Sequence, residues 1–469
     1  MKRSPLSLLA HWAGGELRGE DVVVDSISND TRSLMPGGLY VAIRGERFDG
    51  HDFAYDAAMR SASALLVEHA VDVDLPQIVV EDPQLALARI ATRLQRERTT
   101  RVIAITGSNG KTSVKALLQS ILSRAGHSYV NPGNRNNEIG LPLSVIDAPD
   151  EADFAIYEMG AGKPGDIAYL TEIAVPDVAL VNNVGAAHLE RMGSLLGIAE
   201  TKGAILSALR EGGVAVINAD DAFAGYFATR AAGRQLLRFG LDSSADVTAR
   251  DVQAGATGSA FILVTPQGEV PVALPLPGRH NVLNALAAAS LALASGASLA
   301  TIAEGLASAM PVPGRHIAHL LQDGVVLIDD SYNANPASLE VAIDTLSASS
   351  SASWLVLGDM LELGADAEAL HAGAGRQAAA AGIERLYTLG VLSAAAASAF
   401  GQGARAFESH AALAEALQQD LRTRSIDPQD PKTLRVLVKG SRSSAMERVV
   451  NTLLSTAASR PGEGKTHAA

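Results

Sequence analysis

The run Arg101-Val102-Ile103-Ala104-Ile105-Thr106 leads directly into Gly107-Ser108-Asn109-Gly110-Lys111-Thr112, and a helical pattern opens at Ser113. A strand that enters a glycine loop and then a helix places that strand in a parallel sheet, with the helix packed back across it. No other segment narrows the choice of fold as much. The glycines let backbone N–H groups curl toward one point, and the helix N-terminus adds the positive end of its dipole. Lys111 adds a mobile cation, and Thr112 a hydroxyl suited to a divalent ion. Gly107, Ser108, Asn109, Gly110, Lys111, Thr112 and Ser113 therefore form the expected cradle for a nucleotide polyphosphate. A glycine-rich turn with an incidental lysine is the plainer reading, and the flanking strand and helix oppose it. A full Walker A pattern has another glycine five positions before Gly110, where this chain has Ile105. The loop is thus of the shorter Gly-x-x-Gly-Lys-Thr form.

At 469 residues, 47% of them hydrophobic, the chain is too long for one ordinary core and well supplied for three. The expected class is α/β: a small N-terminal α/β domain over 1–83, a central ATP-binding domain with a parallel sheet over 84–310, and a C-terminal Rossmann-like domain over 311–460. Apolar runs near Phe154–Tyr157, Val178–Val181 and Val214–Ile217 alternate with helical stretches, the pattern of crossover-connected parallel strands. Residues 245–275 look antiparallel, an appended sheet, and 461–469 read as a disordered tail. Pro311, Pro313 and Gly314 mark the second boundary. A formal charge of −13 argues against a nucleic-acid partner, and the lack of cysteine excludes disulfides and thiolate metal sites. Gly14, Gly15 and Glu16 interrupt the first apolar stretch, so membrane insertion is not expected and a cytoplasmic location is.

Glu158 and His188 each follow an apolar strand, on the sheet edge where the phosphate loop stands. A strand-end glutamate alone is a solvated rim charge, and a solitary histidine is ordinarily structural. Their convergence at one edge makes them candidate Mg²⁺ ligands with Thr112. Asp330 and Asn335, in Asp329-Asp330-Ser331-Tyr332-Asn333-Ala334-Asn335-Pro336, follow a strand of the third domain. Adjacent acids there are also suited to cap a helix. Lys202 alone reads as an exposed helix lysine.

Motifs in all three domains resemble the Mur ligase family, which shares the short phosphate loop with folylpolyglutamate synthetases. Ser28-Asn29-Asp30-Thr31-Arg32 and Asp49-Gly50-His51 resemble the UDP-binding end, implying that Ser28, Asp30, Thr31, Arg32, Asp49 and His51 hold substrate. Asn134-Arg135-Asn136-Asn137 resembles the loop beside the reacting substrate, with Asn134, Asn136 and Asn137 in contact. Gly278-Arg279-His280-Asn281-Val282-Leu283-Asn284 resembles the adenine-side helix, implying roles for Asn281 and Asn284. Arg315 matches an arginine that approaches the γ-phosphate, and Asp330 a ribose ligand. Lys202 matches a lysine carbamylated by CO₂, whose new anion helps hold a second Mg²⁺. The resemblance thus implies ATP, two Mg²⁺ ions and a catalytic group of Lys111, Lys202, His188 and Arg315.

Within the family, Asp330–Pro336, Leu357–Gly364 and Val438–Glu447 are similar to members that join D-alanyl-D-alanine to UDP-N-acetylmuramoyl tripeptide, and a monomer is expected. Lys439-Gly440-Ser441-Arg442, at another strand end, suits either an anionic carboxylate or a plain structural turn. Arg191 and Met192 depart from the glycine and phenylalanine usual after the histidine motif. The alternatives are another Mur ligase, a folylpolyglutamate synthetase, or a nucleotide-driven switch.

Overall fold

The computed structural model describes residues 1–45, 47–186, 188–255, 257–321, 324–347, 352–424 and 433–458. The tail expected at 461–469 lies outside the described residues. The N-terminal sheet has five strands, in the order Glu16–Arg18, Gln77–Val79, Ala64–Val67, Leu39–Val41, Ile27–Ser28. Its pairings are parallel except at the Glu16–Arg18 edge. Leu39, Val41, Leu66 and Ile78 pack with Leu6 and Leu9 of the Leu6–Ala13 helix. The connecting helix, Pro83–Glu97, has Pro at its first position, and the Asp82 carboxylate accepts the Gln84 and Leu85 N–H groups at 2.8 and 3.0 Å. Its buried face touches both the Leu6–Ala13 and Gly140–Asp147 helices, so one apolar cluster joins the first two sheets.

The second sheet has six parallel strands: Gln235–Phe239, Val214–Asn218, Val178–Val181, Arg101–Thr106, Phe154–Glu158 and Ser128–Val130, in that order. Arg101–Thr106 is its first strand in sequence yet lies inside the sheet, with later strands on both sides. The chain therefore switches direction at this strand, opening a crevice beyond its carboxyl end. Glu158 pairs in register with Ile105, and Val181 with Thr106, so three strands deliver their ends to that crevice. The antiparallel sheet of Thr248–Ala254, Ser259–Thr265 and Gly268–Leu274 is appended. Ser259, Phe261, Leu263 and Thr265 turn inward and alternate with more exposed residues, the two-residue period of a strand buried on one face.

The third sheet runs Ile317–Leu320, Val325–Asp330, Leu434–Lys439, Ala352–Gly358, Arg385–Leu389, Ala404–Phe407, and only its Ile317–Leu320 edge is antiparallel. Its inner strands are buried on both faces, against separate apolar clusters. Four strands have no clear signature in the sequence: Ser128–Val130, Gln235–Phe239, Ile317–Leu320 and Ala404–Phe407. All are sheet edges, and half-exposed edges carry polar residues that blur the pattern. The helix expected from Ser113 starts at Lys111, because Gly110 at φ +79° ends the loop one residue earlier. No helix among the described residues is long and apolar enough to cross a membrane.

Candidate nucleotide and ligation site

Gly110 must be glycine on two counts. Its φ is left-handed, and a Cβ there would lie 2.5 Å from Asn284 Oδ1 and 2.6 Å from Asn182 Nδ2. The neighbouring strand end clamps the loop: Asn109 N–H donates to Asn183 Oδ1 at 2.8 Å, and Asn182 Nδ2 donates to Asn109 O at 2.9 Å. Ser108 N–H donates to Asn183 O at 3.0 Å, while Gly185 N–H donates to Ser108 Oγ at 2.9 Å. Lys111 folds back over its own loop, donating to Gly107 O at 2.7 Å. Ser113 is half-buried in the first helical turn.

Glu158 is buried beside the loop. Its Oε2 accepts from Thr112 Oγ1 at 3.0 Å and its Oε1 from Asn136 Nδ2 at 2.8 Å. Burial alone would raise its pKa, but the charges of Lys111 and Lys115 and these two hydrogen bonds outweigh it and hold the carboxyl below its ordinary range. Thr112 and Glu158 together form an all-oxygen pair suited to Mg²⁺.

Lys202, on the Leu195–Ser207 helix, is only 3% exposed, against the usual expectation for a helix lysine. Burial, and then the charge of Lys111, pull its pKa well below the ordinary lysine value. That favours the neutral amine, the form able to add CO₂. His188 sits in left-handed backbone at φ +57°, and its Nδ1 pairs with Glu362 Oε2 of the third domain. Its Nε2 is the remaining ring nitrogen for a metal.

The third domain reaches the loop directly: Asn335 Nδ2 donates to Asn109 Oδ1 at 2.9 Å. Asn335 also caps its own helix, its Oδ1 accepting the Ser338 N–H at 2.9 Å, so the capping role weighed for the adjacent acids belongs to this asparagine. Asp330 instead meets Lys439 Nζ at 2.5 Å, across paired positions of neighbouring strands. Lys439 also donates to Asn333 O at 3.1 Å, and Arg442 pairs with Glu447 at 2.8 Å. The candidate anion loop therefore has both its cations already engaged by the protein. Arg315 lies 4.2 Å from the Tyr332 ring centre, and its buried Nε has no hydrogen-bond partner. Burial lowers its pKa against the pull of Asp330, Tyr332 and Glu158. Asn281 and Asn284 are both buried: Asn281 Nδ2 donates to Pro277 O at 2.7 Å, and Asn284 Oδ1 faces the phosphate loop.

Around the other expected loops the contacts are local. Asn137 Oδ1 accepts the Gly140 N–H at 2.8 Å, and Asn134 is exposed. In the first domain Arg32 grips Asp30 through two nitrogens at 2.9 and 2.7 Å, which holds the Asp30 carboxyl at about 2. Ser28 Oγ accepts the Asp30 N–H at 3.1 Å, and Thr31 stands in the same turn. Asp49 accepts from the His51 backbone and ring, at 3.0 and 2.6 Å. His51, Glu68 and His69 come within 4.8 Å of one another, a spacing compatible with a metal. However, His51 Nδ1 is held by Asp49, and its Nε2 accepts the Glu68 N–H at 2.9 Å, which leaves no lone pair for an ion.

Family profiles match all three domains: the Mur ligase family catalytic domain over 4–98, the Mur ligase middle domain over 105–292, and the Mur ligase glutamate ligase domain over 316–442. The chain is 44% identical over 449 residues to the UDP-N-acetylmuramoyl-tripeptide–D-alanyl-D-alanine ligase of Escherichia coli, covering 96% of this chain and 98% of that one. This chain belongs to the Mur ligase family. Its fold matches the crystal structure of MurF from Acinetobacter baumannii with a TM-score of 0.90 at 32% identity, covering 97% of this Mur ligase and 100% of that chain. MurF ligase from Thermotoga maritima in complex with ADP gives a TM-score of 0.83 at 29% identity, covering 93% and 99% of the two chains.

Reading the sequence of this Mur ligase missed Lys115, Asn131, Asn182, Asn183 and Glu362 at the site. Asn182 and Asn183 had a usable signal, since they close an otherwise apolar strand at the loop's own sheet edge. Glu362 had none, because its partner comes from another domain.

Proposed function

We infer that this chain joins D-alanyl-D-alanine to UDP-N-acetylmuramoyl tripeptide in an ATP-dependent reaction, yielding the pentapeptide precursor of peptidoglycan. The observation that carries this reading is end-to-end similarity at 44% identity to a ligase of that name. A carboxylate does not condense with an amine unaided, because oxide is a poor leaving group. The tripeptide's terminal carboxylate oxygen attacks the γ-phosphorus, the bond to ADP breaks, and an acyl phosphate forms. The dipeptide amine, having lost its proton, then attacks the acyl carbon and phosphate departs.

Lys111 swings from Gly107 O to the γ-phosphate, and Arg315 supplies the second cation, its unpartnered buried Nε supporting that role. Gly107, Ser108, Asn109, Gly110, Thr112 and Ser113 cradle the phosphates; Asn281, Asn284, Asp330 and Asn335 hold the nucleoside side. Ser28, Asp30, Thr31, Arg32, Asp49 and His51 bind the UDP end, and Asn134, Asn136 and Asn137 the peptide end. Two Mg²⁺ ions would be held by Thr112, Glu158, His188 and carbamylated Lys202, and would neutralise the gathering phosphate charge. The burial of Glu158 and Lys202 beside the loop supports that set. The enzyme works as a cytoplasmic monomer.

The test is a ligation assay with ATP, D-alanyl-D-alanine and tripeptides ending in lysine or diaminopimelate, with products resolved by mass. A pentapeptide product from either tripeptide is expected. ATP hydrolysis without any ligated product would overturn the reading.

A further inference from the structure

Lys115 is a buried cation that the proposed chemistry leaves without a role. It stands one turn beyond Lys111 on the Lys111–Leu122 helix, among Val114, Leu117 and Leu118, and is 6% exposed. Its ammonium has three N–H donors and meets three acceptors: Asn131 O at 2.9 Å, Gly133 O at 3.2 Å and Glu158 Oε2 at 3.4 Å. The two carbonyls open the loop that carries Asn134, Asn136 and Asn137. Asn131, itself fully buried, accepts the Glu158 N–H at 2.9 Å and donates to Glu158 O at 3.1 Å. One side chain thus connects the phosphate-loop helix, the asparagine loop and the metal-site carboxylate.

Burying an ammonium is costly unless it is fully paired, and an apolar side chain would fill a purely structural position on this helix more cheaply. We propose that Lys115 is a positioning residue that holds Glu158 in place for the metal and fixes the asparagine loop for the UDP-linked substrate. This rests on the assignment of Glu158 to the metal site. The charge acts on Glu158, whereas hydrogen-bond donation acts on the loop, so the two roles separate by substitution.

The experiment measures Mn²⁺ binding to the enzyme–ATP complex by electron paramagnetic resonance, and separately KM and kcat for the UDP-tripeptide, in three variants checked for folding by circular dichroism. Lys115→Met loses charge and donors: Mn²⁺ binding should weaken roughly 10-fold or more and KM should rise several-fold. Lys115→Gln keeps a donor but no charge, so Mn²⁺ binding should weaken similarly while KM stays nearer wild type. Glu158→Gln is the control for the underlying reading. If it weakens Mn²⁺ binding while both folded Lys115 variants bind as wild type, the Lys115 proposal is overturned alone. If it too binds Mn²⁺ as wild type, the metal assignment fails and the proposal with it. Should Lys115→Met not fold, Mn²⁺ binding by Lys115→Gln decides.

Discussion

The central and third sheets share an architecture, six strands each with parallel inner pairs, yet their carboxyl edges are chemically opposite. At the central edge the charges of Lys111 and Lys115 act on the carboxylate of Glu158 and lower its pKa, while the buried Lys202 amine is held toward its neutral form by burial and by Lys111. The cluster carries surplus positive charge, which a polyphosphate would balance. At the third edge Asp330 and Lys439 are register partners that neutralise each other. One edge leaves positive charge for a ligand to balance and the other pairs its own charges, so the shared fold leaves function to the residues at the strand ends.

The largest effect should come from emptying the open edge. Lys111→Ala should lower ligation by about 10²–10³-fold while thermal unfolding stays close to wild type, since a mobile cation rather than a packing residue is removed. Near-wild-type turnover would dissolve the contrast between the edges. The closed edge should answer in stability. Asp330→Asn strands a buried Lys439 and should cost about 3–5 kcal/mol in denaturant unfolding, most of it recovered by adding Lys439→Met. Equal losses in the single and double variants would show that the pair is not self-contained.

Lys202→Ala removes a second lysine from the open edge. Activity should fall about 100-fold and return in part with added acetate or formate, whose carboxylate replaces the carbamate, while Lys439→Met should show no acid rescue. An active Lys202→Ala variant would remove that lysine from the site.

The smallest effect concerns His280 and His316, whose rings meet edge to face, 5.5 Å apart, where the two domains adjoin. Burial, and then the neighbouring His280 ring, push His316 down to about 4, and burial lowers His280 as well. The unfolded chain takes up these protons first, so the stability they contribute is complete above about pH 6.5 and is lost as pH falls toward 4. His316→Leu should flatten the unfolding free energy across that window, by at most about 1.4 kcal/mol per pH unit. An unchanged slope would show that His316 takes up its proton alike in the folded and unfolded chain, so that burial does not lower its pKa.

Features that depend on neighbours along the chain could be read without a structure. The phosphate loop was legible because its N–H groups, Lys111 and Thr112 are consecutive, and the inner strands because parallel strands buried on both faces read as unbroken apolar runs. Glu158 was legible as a strand end, and Asn335 within a motif. Tertiary structure decided which charges meet. Lys439 and Asp330 lie 109 positions apart, and Asn335 and Asn109 226, so strand order and domain contact select those partners. The same holds for Lys115 and Lys202, ordinary helix lysines on paper. Whether a lysine is solvated or buried depends on which side of its helix the sheet covers, and that is settled only when the layers pack.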